Sequence, residues 1–139
     1  MSADLDALKK GLYDKYAANG TLTTALTGGL HWLKGEQSPT YPYATYQIVT
    51  NRNELTFVET SEVSLIQFSI FDRDLDNPTG NATIDDVFDK LVTCFDRATL
   101  TVASNNFISM IRELDHEFVN EDDTLQHTVD YRVRIQKDR

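Results

Sequence analysis

Residues Thr83–Asp96 read TIDDVFDKLVTCFD, and the spacing of their apolar side chains decides how the rest of the chain must fold. Ile84, Val87, Phe88, Leu91, Val92 and Phe95 recur at helical intervals and form one continuous stripe. Thr83 is placed to cap such a helix, and Asp85 and Asp86 in its first turn favour the positive end of the helix dipole. A stripe this wide needs a broad apolar surface to cover, and a sheet built from the flanking segments would supply one.

The segments upstream begin with a second helix. Ser2 is placed as its N-cap, Leu5, Leu8, Leu12 and Tyr16 follow helical spacing, and Asn19-Gly20 marks its stop. Thr21–Leu26 predicts a short further turn of helix ended by Gly28-Gly29, and Leu30–Leu33 a first short strand. Gly35–Pro42 is a turn-rich connector. Tyr43–Thr50 is β-prone, Asn51-Arg52-Asn53 predicts a bend or bulge, and Leu55–Val58 continues the strand character. In Val63–Phe71, Ile66, Phe68 and Ile70 point to one face and Leu65 and Phe71 to the other. Asp72–Ala82 is the clearest loop, with turn signals at Asn77-Pro78 and Gly80-Asn81.

Downstream of the central helix, Phe107–Phe118 reads as a strand with Ile108, Met110, Leu114 and Phe118 on one side. Residues 120–123, Asn-Glu-Asp-Asp, form a hairpin-turn signal. The last strand alternates cleanly, with Leu125, His127, Val129, Tyr131, Val133 and Ile135 inward. The expectation is a single α+β domain over residues 1–139: an antiparallel or mixed β-sheet with two main helices packed on one face, in the order α-β-β-β-α-β-β.

Composition narrows the functional classes. A chain of 139 residues buries roughly two-thirds of its unfolded surface in one core. An apolar share of 40% and an aromatic share of 10% argue against disorder. The net charge of −9 leaves no excess of Lys and Arg to release phosphate counterions, which disfavours general nucleic-acid binding. Cys94 is the single cysteine, so no intrachain disulfide forms, and its place beside the helical stripe predicts a buried structural thiol. The opening MSADLDALKK lacks an apolar signal region, and no apolar run approaches the ~20 residues that span a bilayer. The expectation is a soluble cytosolic product with no membrane contact.

No catalytic, cofactor or metal motif stands out. His31, His116 and His127 fall on separate predicted strands, and no HxxxH, HExxH or CxxC spacing occurs. His116 and His127 face each other across the last hairpin in sequence, with structural or surface roles the stronger reading. Asp72, Asp74 and Asp76 resemble a calcium loop only superficially, because the glycine and glutamate of that pattern are misplaced. Glu113, Asp115 and Glu117 alternate along one predicted strand face, opposite Arg132 and Arg134 as ion-pair partners. Gly28-Gly29 belongs to no phosphate-loop pattern. The candidate interface residues are Arg52, Leu55, Phe57 and Val58, which present apolar groups among polar neighbours, together with the loop acids Asp72, Asp74 and Asp76.

Several blocks, taken in order, resemble the tail terminator (tail completion, head-to-tail joining) proteins of long-tailed bacteriophages and prophages. They are the N-terminal helix followed by TLTTAL at 21–26, YPYATY at 41–46, QFSIF at 67–71 running into the loop and long helix, and DTLQHTVDYRV at 123–133. The resemblance spans nearly the whole chain and implies a homohexameric ring that caps the finished tail tube. Its implied partners are other copies of itself, the tail tube protein and the head completion or connector protein. DNA would pass through without specific binding, and no cofactor is implied. The implied location is the head-proximal end of the virion tail, reached from the host cytoplasm during assembly. Alternatives are another head–tail connector or minor tail protein, and a small-ligand-binding domain.

Overall fold

A computed structural model describes residues 5–35, 39–55, 60–73, 82–103 and 105–137. Ser2, Phe57, Val58, Asp74, Asp76 and the turn signals at 77–81 lie outside them. In chain order the elements are α1 (Leu5–Ala17), α2 (Gly20–Ala25), β1 (Leu30–Trp32), β2 (Tyr43–Leu55), β3 (Thr60–Asp72), α3 (Ala82–Phe95), β4 (Asn105–Val119) and β5 (Leu125–Lys137). The five strands form one sheet in the order β1-β2-β3-β5-β4. β1 runs parallel to β2, and the other neighbours pair antiparallel.

The stripe of α3 behaves as its spacing requires. Ile84, Val87, Leu91 and Phe95 are buried, with Phe88 and Val92 packed against them at the margin. Their partners on the sheet are Ala44 and Tyr46 of β2, Ile66, Phe68 and Ile70 of β3, and Val129, Tyr131, Val133 and Ile135 of β5. Leu8, Leu12 and Tyr16 of α1 and Leu22 of α2 join the same core, so the helices cover one face of the sheet. The two layers are those expected from the sequence, with α2 as a small addition.

Local signals explain the helix ends. Asn19, expected to stop α1, also starts α2: its side-chain oxygen accepts the Leu22 N–H at 3.0 Å. Thr83 lies inside the first turn of α3 rather than before it, because the helix already begins at Ala82. At the other end Arg97 takes the left-handed conformation (φ 52°), and Ala98 N–H closes on Phe95 C=O at 3.1 Å. Gly11 lets α1 approach the segment after α3, since a Cβ there would stand 2.6 Å from the Thr101 carbonyl oxygen.

Two strand expectations need correction. The bend expected at Asn51-Arg52-Asn53 does not occur; β2 continues in register to Leu55, and its irregularity falls between Ile48 and Thr50. β-Branched Val49 takes the bulge, while Asn51 is held in the ladder by side-chain bonds to Ser64 Oγ (2.5 Å) and Glu62 Oε2 (3.2 Å). In β4, the four residues expected on one face are split by two bulges, as described below.

Asp96 ties the end of α3 to the sheet. The Tyr131 hydroxyl donates to Asp96 Oδ1 at 2.6 Å, and Arg112 Nη2 lies 3.2 Å from Asp96 Oδ2. Burial, then the hydrogen bond and charge of Asp96, push the Tyr131 phenol far above its ordinary range. Burial likewise raises Tyr16, Tyr43 and Tyr46, and it raises the Cys94 thiol, which is buried as expected with Sγ 3.8 Å from Lys15 C=O. A raised folded-state value favours the native state while the phenol is neutral in both states. That contribution is therefore full below about pH 10 and is lost as pH rises further, by about 1.4 kcal/mol per unit for each proton. Tyr131→Phe is expected to cost about 1–2 kcal/mol at pH 7. It is also expected to flatten the alkaline fall in stability, which urea denaturation at pH 7 and across the alkaline range will measure.

Candidate assembly surface

β4 reads NNFISMIRELDHEFV, and its apolar doublets Phe107-Ile108 and Met110-Ile111 conflict with strict alternation. The chain resolves the conflict with irregularities between Phe107 and Ser109 and between Arg112 and Leu114. Register with β5 then places Phe107, Met110, Arg112, Asp115, Glu117 and Val119 opposite the inward positions of β5. Ser109, Ile111, Leu114, His116 and Phe118 fall on the face without helices. Only Met110 of the expected set is buried, whereas Ile108, Ile111, Leu114, Phe118 and Val119 are exposed.

β4 is also an edge strand, with β5 on one side and no strand on the other among the described residues. A fifteen-residue edge carrying exposed Ile, Leu, Phe and Val is a template for pairing with another chain. The opposite edge, β1, spans three residues. Between these edges the uncovered face carries a polar, hydrogen-bonded strip beside the apolar Leu65, Tyr43 and Phe71. Gln47 Nε2 donates to Gln67 Oε1 (2.9 Å), Gln67 Nε2 to Asp130 Oδ1 (3.1 Å), and Gln126 Nε2 to Ser69 Oγ (3.2 Å). Arg132 Nε meets Glu113 Oε1 at 3.0 Å, one of the cross-strand pairs read from the sequence. Both partners are well exposed, so that pair contributes little to stability.

The described residues among those singled out in the sequence, Arg52, Leu55 and Asp72, do not form one patch. Arg52 is exposed on β2 opposite Val63, and Leu55 closes the same strand at its pairing with Thr60. Asp72 ends β3 at the other extremity of the hairpin, roughly 30 Å away along the strand. Its side chain is buried and accepts the Arg73 N–H at 2.8 Å. Phe57, Val58, Asp74 and Asp76 fall outside the described residues. The sequence reading overlooked Ile111 and Val119, although the paired apolar doublets around Ser109 signal the bulge that exposes Ile111.

The histidines separate as well. His116 and His127 occupy opposite faces, so they are no ligand pair. His116 Nδ1 lies 3.3 Å from Thr128 Oγ1 on the uncovered face. His127 points toward α3, stacks on Phe88 at 4.0 Å and places Nε2 2.8 Å from Asp115 Oδ2. His31 Nε2 contacts Gly28 C=O at 2.8 Å. The second bulge also turns Glu113 away from Asp115 and Glu117, which the sequence placed on a common face.

Near the β4–β5 turn, Tyr41, Tyr43 and Phe71 with Asn120, Asp122 and Gln126 line an open groove of about 490 Å³. Tyr43 and Phe71 stack at 4.9 Å, and Arg73 lies 5.3 Å over Tyr41. A second depression of about 310 Å³ lies beside the β4 bulge, between Arg97–Thr99 and Phe107–Ile111. Both are surface features at strand ends and edges. No helix among the described residues is long and apolar enough to cross a membrane.

No protein-family model matches the chain, and no curated protein matches it. Solved structures do. One, at a TM-score of 0.59 and 9% identity, covers 99% of this chain and 98% of its own length. Another is a chain from the virion of a native gene transfer agent particle, with a TM-score of 0.81 and 14% identity over 98% of this chain and 99% of that one. In fold, and over nearly its whole length, the chain is thus similar to a component of a virion.

Proposed function

We propose that this chain is a phage structural protein that assembles as a homohexameric ring at the head-proximal end of a tail. There it caps the tail tube, ends polymerisation and offers a joining surface to the head connector. The observation that carries this reading is the end-to-end fold similarity to a gene transfer agent virion chain. The ordered sequence blocks at 21–26, 41–46, 67–71 and 123–133 supply the finer assignment.

The surface supports the reading physically. A ring requires heterologous contacts, in which one patch meets a different patch on the next copy. The long edge β4, with exposed Ile, Leu, Phe and Val set among charged residues, and the short edge β1 lie at opposite ends of the sheet, so two unlike surfaces point in different directions. A net charge of −9 lets DNA traverse such a ring without adhering to it. The test is electron microscopy of particles assembled with and without the protein. The expected result without it is tails of uncontrolled length left unjoined to heads; tails of normal length joined to heads overturn the proposal. Tails of normal length that remain unjoined reassign the chain to a connector role.

A further inference from the structure

The β4–β5 hairpin and the start of α3 bring together three residues that no sequence spacing connects. Asp85 lies in the first turn of α3, Glu117 on β4 and His127 on β5, and one potential ligand atom from each falls within 4.8 Å of the others. Both carboxylates are exposed, whereas His127 is only 6% exposed.

The imidazole makes this more than an acidic cluster. Its Nε2 is taken by Asp115 Oδ2 at 2.8 Å, while Nδ1 is buried and has no hydrogen-bond partner among the described residues. A buried ring nitrogen left unpaired costs about 1–3 kcal/mol, and the neighbouring groups do not relieve it. Phe88 stacks on one ring face, and the nearby cation Arg112 is engaged with Asp96. A carboxylate bonded to one nitrogen fixes the ring and leaves the other nitrogen as a metal ligand, the arrangement that accompanies His–metal bonds.

We propose that Asp85, Glu117 and His127 form a site for a divalent first-row metal ion of the Zn²⁺ class, ligated by His127 Nδ1 and the two carboxylates and oriented by Asp115. One imidazole and two carboxylates suit such an ion, with water completing its coordination. At metal–ligand distances of about 2.0–2.2 Å the exposed carboxylates need swing inward by only about 1 Å. The bound ion satisfies the orphaned nitrogen, neutralises two acids and clamps α3 to the hairpin of the edge strand. This site is independent of ring formation and stands or falls by itself.

Zn²⁺ titration of the purified protein, followed by calorimetry, native mass spectrometry and histidine ¹⁵N NMR, tests the proposal. The expected result is one ion per chain at micromolar concentration or tighter, with the Nδ1 resonance of His127 shifted. Asp85→Asn/Glu117→Gln alters only exposed side chains and is expected to weaken binding at least about tenfold without unfolding the protein. Asp115→Asn is expected to weaken it about 10–100-fold, and His127→Gln to abolish it. Absence of saturable binding at about 100 µM Zn²⁺, unchanged affinity in the double carboxylate variant, or an unmoved His127 resonance each overturns the site. Binding of Mg²⁺ in place of Zn²⁺ with His127 unperturbed overturns it too, since the acids alone would then be the ligands.

Discussion

Ile111→Lys/Leu114→Lys is expected to yield a folded monomer that no longer assembles. The two side chains are 45% and 55% exposed, so their replacement removes little that the monomer core uses. The expected cost to monomer stability is within about 0.5 kcal/mol per site, as for ordinary surface changes. Their value to an interface is larger. Burying an exposed Ile or Leu side chain contributes about 1.5–3 kcal/mol, and roughly half of that is still available at each position. Lysine forfeits that gain and adds a charge that must be desolvated or kept in water. Lysine is also a common means by which edge strands avoid pairing. Together the burial losses come to about 1.5–3 kcal/mol, a weakening of association of roughly 10- to 100-fold before the desolvation of lysine is added.

Sedimentation velocity or multi-angle light scattering, with circular dichroism as the control, measures this directly. Wild-type protein that associates beside a folded, monomeric variant assigns β4 to the interface. Association unchanged in the variant moves the interface to another surface, with β1 or the end of the β2–β3 hairpin as the next candidates. The ring proposal would survive that outcome, but its contact would lie elsewhere.

Much of the scaffold was legible because its signals are local and periodic. The α3 stripe, the inward set on β5 and the Ile66-Phe68-Ile70 alternation each follow from one period and one buried face. The 120–123 turn was equally readable, and it closes through Asn120 N–H to Thr124 C=O at 2.9 Å. Bulges were harder. An extra residue at Ile108 or Val49 changes which face every later side chain occupies, and single residues do not announce that shift. The candidate surface was least legible, because exposure depends on what the helices fail to cover. Met110 lies on the helix-covered face and is buried, whereas Ile111 and Leu114 lie on the other face and stay open, a difference set by position in the sheet rather than by residue type. The cluster around His127 was hidden for a related reason: its members come from three elements and meet only in space.

Phe68→Ala is expected to act in the opposite way, weakening the fold itself and assembly with it. Phe68 is fully buried on β3, the central strand between β2 and β5. Its ring stacks on Phe95 of α3 at 4.5 Å, lies 6.2 Å from Tyr46 of β2, and meets Tyr131 of β5 edge-on at 5.9 Å. One side chain therefore joins the helix to three adjacent strands, and its ring partners Phe95, Tyr46 and Tyr131 are themselves buried. Truncating a phenylalanine in such a site costs about 3–5 kcal/mol, from lost transfer energy and the residual cavity. A domain of this size holds about 5–15 kcal/mol in total, so the variant is expected to lose a large share of its stability and to melt well below the wild type. Chemical denaturation should show the midpoint falling with an unchanged slope, which marks a loss of stability rather than a changed unfolded state. Pairing the change with Phe95→Ala tests the mechanism: because the two rings share one contact, the double variant should lose less than the sum of the single losses. Strict additivity would mean that Phe68 stabilises the sheet alone and that α3 is held by its other side chains. Read beside the lysine variant, the result separates two kinds of failure, since one protein folds without assembling and the other assembles poorly because its fold is weakened.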